Sequence, residues 1–208
     1  MSTVPGAVDI RQVFGESPQV LTEILQEGVN LAVWQRLLPA QVEDFSTVLA
    51  SLGQLLSDER IIDVDEDAPV ELPGLLAEAA DLHGYEAFVA DVCWLVAAFT
   101  CLVGARRIGL RLRVLDGAMC PRFHVDKVTL RLLTTFTGPG SEWLREAECD
   151  RADLQRMKPD VDKIQRLSTG NVAILKGERW TEGAGVIHRS PMTAAGERRL
   201  LLSLDWLA

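Results

Sequence analysis

Cysteine, basic residues, histidine and tyrosine are all scarce in this chain, and each shortage excludes something. Four cysteines in 208 residues, at positions 93, 101, 120 and 149 with no CxxC pair, cannot make a disulfide framework, so a reducing, cytoplasmic location is expected. The 21 lysines and arginines are outnumbered by 30 acidic residues, and a net charge of -9 makes a poor counterion for nucleic acid or an anionic membrane surface. The N-terminus shows no basic start followed by an apolar leader. No Walker or dinucleotide glycine loop is present, and Ser190 lacks the histidine and acid arrangement of a hydrolase. Long apolar runs are limited to residues 87–104 (AFVADVCWLVAAFTCLVG). That run only just reaches spanning length and carries Asp91, so a buried central helix is expected and no membrane span.

What is present is an ordinary globular composition, 48% hydrophobic and 25% charged, with enough length to bury a full core. The charge is uneven: residues 1–104 hold 17 acids and 3 bases, whereas residues 105–208 hold 13 acids and 18 bases. The division expected is an acidic, mainly helical region over 1–105 and a β region over 106–208. The acidic half is either a solvated face or a surface that docks a partner.

Phe45, Val48, Leu49, Leu52, Leu55 and Leu56 recur at helical spacing after Pro39, which predicts a helix ending near Asp58. An exposed acidic loop is expected over 60–70 and a second helix over 73–81. Asp63, Asp65 and Asp67 alternate as in a calcium loop, but the glycine and terminal glutamate of such a loop are missing. Beyond residue 105 the texture becomes that of strands, at 108–115 (IGLRLRVL), 128–136, 171–175 and 200–207. Glycine and proline punctuate them, as at Gly138-Pro139-Gly140, which suits a small antiparallel barrel or jelly roll. The charged stretch 141–166 reads as an insertion.

Two of the three histidines fall in this β sequence. His124 and Asp126, at i and i+2 on a strand, share a face and can grip one cation; His188 supplies a second imidazole. Two histidines and one carboxylate suit a non-haem iron(II) site. Core histidines are the plain alternative. His83, at a predicted helix end, reads as a surface residue. Cys120 precedes His124 by four residues, so it is either a further ligand, favouring zinc, or merely a nearby thiol. Arg122, Lys127 and Arg131 either hold an anionic substrate or form a solvated face. Trp143 and Trp180 either line a pocket mouth or belong to the core.

The run from His188 to Gly196-Glu197-Arg198, with a basic residue ten positions after the histidine on a final apolar strand, resembles the C-terminal end of the 2-oxoglutarate and iron(II)-dependent dioxygenases. That resemblance covers about residues 108–207. It implies a C-terminal double-stranded β-helix (jelly roll), and with the helical reading of the first half the fold class expected is α+β, the N-terminal helical region packed on that β-helix. The resemblance also implies His124, Asp126 and His188 as ligands of Fe(II), and Arg198 as the residue holding the distal carboxylate of 2-oxoglutarate. Leu200 replaces the serine or threonine common two residues after that arginine, and the single tyrosine, Tyr85, lies outside the β half. The block CPRFHVDKVTLRLLTTFTGPGSEWL, with VWQR at 33–36, also resembles a bacterial family of unknown function that is associated with zinc-limitation gene neighbourhoods. Zinc therefore stays open beside iron. The two functions implied are an oxygenase acting on a small-molecule or protein substrate, and a cupin-like zinc-binding protein of metal homeostasis.

Overall fold

Alternation of apolar and polar side chains builds the architecture. The computed structural model describes residues 9–146, 151, 154, 159–180 and 183–207. Along the chain run β1 (Arg11–Gly15), β2 (Val29–Trp34), α1 (Ala40–Ser51), β3 (Ser57–Asp63), α2 (Tyr85–Val103), β4 (Arg107–Leu115), β5 (Leu130–Thr137), β6 (Glu142–Trp143), β7 (Gln165–Arg166), β8 (Val172–Lys176), β9 (His188–Arg189) and β10 (Arg199–Trp206). Seven strands form one sheet in the order β1-β2-β8-β5-β10-β4-β3, parallel at β1–β2 and antiparallel elsewhere, and three short strands form a second sheet, β7-β6-β9.

One face of the large sheet is apolar at every second residue. Leu110 and Leu112 of β4, Leu202 and Leu204 of β10 and Ile174 of β8 pack against Phe45 and Leu49 of α1 and Phe88, Val92, Leu95 and Phe99 of α2. Phe88 stands between Phe45 and Phe136, with ring centroids 4.7 and 4.8 Å away. The opposite face carries Leu31, Val33, Leu133, Ala173 and Leu175, which bury Trp143 of β6. The small sheet therefore lies over the second face, and the interval between the sheets holds the polar cavity described below.

The run 87–104 is the core helix α2, as expected. Asp91 meets the Arg36 of the VWQR element in a bidentate pair, Nη1 to Oδ1 at 2.7 Å and Nη2 to Oδ2 at 2.9 Å, and Arg36 Nε donates to the carbonyl of Gly170. Charge inside the apolar run thus ties α2 to the end of β2 and to the turn before β8. The predicted strands at 108–115, 128–136, 171–175 and 200–207 correspond to β4, β5, β8 and β10.

The N-terminal half is not a separate helical layer: besides α1, α2 and the 3-10 segment Pro18–Leu25 it supplies β1, β2 and β3, which lie in the same sheet as the C-terminal strands. Helix α1 stops at Ser51 because Gly53 takes a left-handed φ of +81°, a common helix exit. Part of the predicted acidic loop is β3, a charged edge strand in which every second residue is exposed. The helix expected over 73–81 is only a short 3-10 turn, Ala77–Ala79, entered through Leu76 at φ +49°. The stretch 141–166 contributes β6 and β7 at its ends; Cys149 lies outside the described residues.

Candidate metal centre

Backbone pairing creates the site. His124 and His188 exchange both main-chain hydrogen bonds, each at 3.0 Å, in an isolated antiparallel bridge. Their rings consequently lie side by side, centroids 4.7 Å apart. Two residues on from His124, Asp126 returns to the same side. Its Oδ1 lies 3.5 Å from His124 Nε2 and its Oδ2 lies 3.2 Å from His188 Nε2. Ligand atoms of these three residues all fall within 4.8 Å of one another. Gly177 allows this close approach, since a Cβ there would lie 2.7 Å from the Asp126 carbonyl oxygen and 2.1 Å from that of Val128.

The second ring nitrogens are fixed as well. His124 Nδ1 is 2.9 Å from the carbonyl oxygen of Arg122, and His188 Nδ1 is 3.1 Å from that of Val186. A carbonyl oxygen only accepts, so each Nδ1 donates to it and each Nε2 faces Asp126, the orientation of metal-ligating histidines. Two ligands at right angles on an ion about 2.1 Å away stand about 3 Å apart, close to the separations seen here. The donor set therefore fits a divalent ion.

Electrostatics favour an ionised Asp126. Burial alone would raise its carboxyl, but hydrogen bonds with His124 and His188 and the charge of Arg131 outweigh burial and hold it far below the usual range. Hydrogen bonding to Asp126 raises His124 against its own partial burial. Arg131 bonds Asp126 and also grips Asp205, which receives Arg111 at 3.0 Å, so the ligand carboxylate belongs to a chain of alternating charges.

A cavity of about 240 Å³ opens beside the histidines, and Arg111, Arg113, Arg131, Arg189, Cys120 and Ser141 are among its walls. Of the residues predicted to form a substrate pocket, Arg131 alone lines it. Arg122 and Lys127 are exposed outside it. Trp143 is buried between the sheets against Phe14, and Trp180 packs beside Trp206 and Lys176 at a separate cavity. Cys120 shares the wall but stands outside the three-residue ligand group.

The two arginines of the last strand diverge. Arg198 turns to the helical layer, where it donates to the carbonyl of Ala50 at 3.2 Å, near the C-terminus of α1. It does not join the cluster. Arg199, on the face of Leu201 and Ser203, is completely buried; its Nη2 donates to Thr135 Oγ1 and Ser141 Oγ, both at 3.2 Å, while Nε and Nη1 have no partner. Burial, aided by nearby Arg166, lowers its pKa to about 10 although Glu142 opposes this. From the sequence alone Arg199 points to the face opposite Arg198 and is the less favoured anchor, and Leu200, Leu201 and Leu202 hide which parity faces the core. Arg111 and Arg113 were visible as the basic positions of IGLRLRVL, though not as cavity residues.

The fold resembles that of oxygenases. The dioxygenase for auxin oxidation of rice is 13% identical, covers 96% of this chain and 83% of its own, and superposes with a TM-score of 0.50. The corresponding Arabidopsis thaliana enzyme in complex with 2-oxoglutarate is 14% identical over 96% and 92% of the two chains, with a TM-score of 0.48. A Pseudomonas putida prolyl-4-hydroxylase is 12% identical over 90% and 96%, with a TM-score of 0.46. At such identities the likeness concerns the mixed α/β fold and its large sheet. No curated protein matches the sequence. The model of the DUF1826 family, described as protein of unknown function, matches residues 15–205, and the chain belongs to that family.

Proposed function

We propose that the chain is a non-haem iron(II) and 2-oxoglutarate-dependent oxygenase built on a double-stranded β-helix. The observation that carries this reading is the meeting of His124 Nε2, Asp126 and His188 Nε2, with the two histidines lining the cavity and both imidazoles oriented by their Nδ1–H bonds. Such a set occupies one face of an octahedral ion and leaves the other positions for ligands. When bound, iron(II) and 2-oxoglutarate would supply the O₂-dependent oxidising chemistry. The remaining work belongs to the chain. Arg131 pairs with Asp126 and, after His124 and His188, helps to keep it ionised. We assign the distal carboxylate of the keto acid to Arg199 in place of Arg198: its Nε and Nη1 are buried without a partner, and its partner Ser141 lines the cavity. Leu133 and Leu201 present apolar surface that limits water in the cavity.

A second reading, a cupin-like zinc-binding protein, is favoured by Cys120 on the same wall. Anaerobic equilibrium dialysis separates the two. One iron(II) per chain, lost in His188→Ala and kept in Cys120→Ser, supports the oxygenase, as does conversion of 2-oxoglutarate to succinate that is lost in Arg199→Gln and kept in Arg198→Gln. Tight zinc that depends on Cys120, with no response to 2-oxoglutarate, replaces it with the second reading.

A further inference from the structure

Arginine dominates the charged lining of the cavity, each guanidinium being paired with a carboxylate that lies behind the lining. Four arginines line it, and no carboxylate does among the described lining residues. Arg111 and Arg113 occupy alternate positions of β4, opposite Ser203 and Leu201 of β10 in register, so both project from the sheet into the cavity. Alternate side chains of a strand start about 7 Å apart, a span from which two guanidinium forks can reach one anionic group from two sides. Their present partners leave N–H groups to spare. Arg111 Nη1 forms an ion pair with Asp205 Oδ2 at 3.0 Å, and its side chain is 43% exposed. Arg113 pairs with Glu59 of the edge strand β3, and its Nη1 also lies 3.6 Å from Met119 Sδ. Arg189 is already engaged by Glu142 and the ring of Phe123.

We infer that this wall binds an oxyanion of the substrate, a small molecule with a carboxylate or phosphate group gripped by Arg111 and Arg113. The word substrate rests on the oxygenase reading; the anion site does not. A cavity of about 240 Å³ admits little beyond an anionic head group beside a keto acid.

The test is isothermal titration of the full chain with inorganic phosphate and, separately, with propionate, first as purified and then after anaerobic loading with iron(II) and 2-oxoglutarate. Arg113→Gln is the informative variant, because Arg111 is linked through Asp205 and Arg131 to a metal ligand whereas Arg113 is not. One probe is expected to bind, phosphate or propionate identifying the head group, and binding should weaken about tenfold in Arg113→Gln with iron and keto-acid affinities kept. Arg113→Lys, which keeps the charge and loses the fork, should recover part of the loss. Binding of neither probe, or binding indifferent to Arg113→Gln, overturns the inference and leaves the oxygenase reading standing if iron and keto acid still bind. If the wild type fails to bind iron or keto acid, the oxygenase reading falls, and the titration of the unloaded chain still decides for or against the anion site.

Discussion

Replacing Arg199 by methionine should stabilise the ligand-free protein while abolishing its response to 2-oxoglutarate. Burying a guanidinium completely costs several kcal/mol. Two hydroxyl acceptors at 3.2 Å return about 3 kcal/mol in all, at the weak end for bonds from a charged donor, and Nε and Nη1 return nothing. An apolar side chain of similar volume removes the unpaired charge, so the expected gain is about 2 kcal/mol, or about 4–8 °C in Tm for a domain of this size. The wild type, loaded anaerobically with iron(II), should gain about 2.7 kcal/mol at 2-oxoglutarate concentrations a hundred times Kd, and Arg199→Met should gain nothing. Differential scanning calorimetry with and without keto acid measures both effects. A ligand-free Arg199→Met that melts lower than the wild type, or a keto-acid shift equal in the two proteins, would refute the reasoning.

Three further outcomes follow from the packing. Asp91→Ala leaves the Arg36 guanidinium buried without its partner and should cost about 3–5 kcal/mol in urea unfolding, whereas the double change Arg36→Met, Asp91→Leu should recover most of that; a double variant as unstable as the sum of the single ones contradicts the account. Gly177→Ala forces a Cβ against the carbonyls of Asp126 and Val128, and should weaken metal binding about 10–100-fold by moving Asp126, read by metal titration; unchanged affinity removes Gly177 from the account. Burial raises Glu142 but hydrogen bonds from Arg166 and Arg189 outweigh it, holding the folded-state pKa below the ordinary 4.5. Its contribution is present above pH 4.5 and is lost as pH falls through the lower folded value, because the unfolded chain takes up that proton first. Acid unfolding of Glu142→Gln should therefore be less steep with pH than that of the wild type, and identical slopes would remove Glu142 from the acid transition.

The sequence is most legible where short-range pattern and burial agree. Helix α2 and strands β4, β5, β8 and β10 follow from one dense apolar run and from β-branched or alternating segments. His124 and Asp126 are legible from their i, i+2 spacing, although no strand forms there and only His124 pairs, in the isolated bridge to His188. Strand β2, VNLAVW, is buried on both faces and shows no alternation, and β3 is a charged edge strand whose partner supplies what its own composition lacks. Helix α1 was drawn too long because Leu55 and Leu56 continue its apolar spacing beyond Gly53. Choosing between Arg198 and Arg199 requires knowing which leucines of β10 face the helices, and three consecutive leucines conceal it. The cavity arginines needed the cover of the small sheet over the large one, which no local pattern encodes.

The most direct measurement is an anaerobic optical titration of the purified protein with iron(II) and then 2-oxoglutarate, following the weak visible charge-transfer band of the metal–keto-acid chelate. The account predicts a saturable band at one equivalent of iron, absent in His188→Ala and Arg199→Gln and retained in Arg198→Gln. Bound metal without any band, or a band that survives Arg199→Gln unchanged and vanishes in Arg198→Gln, would contradict it.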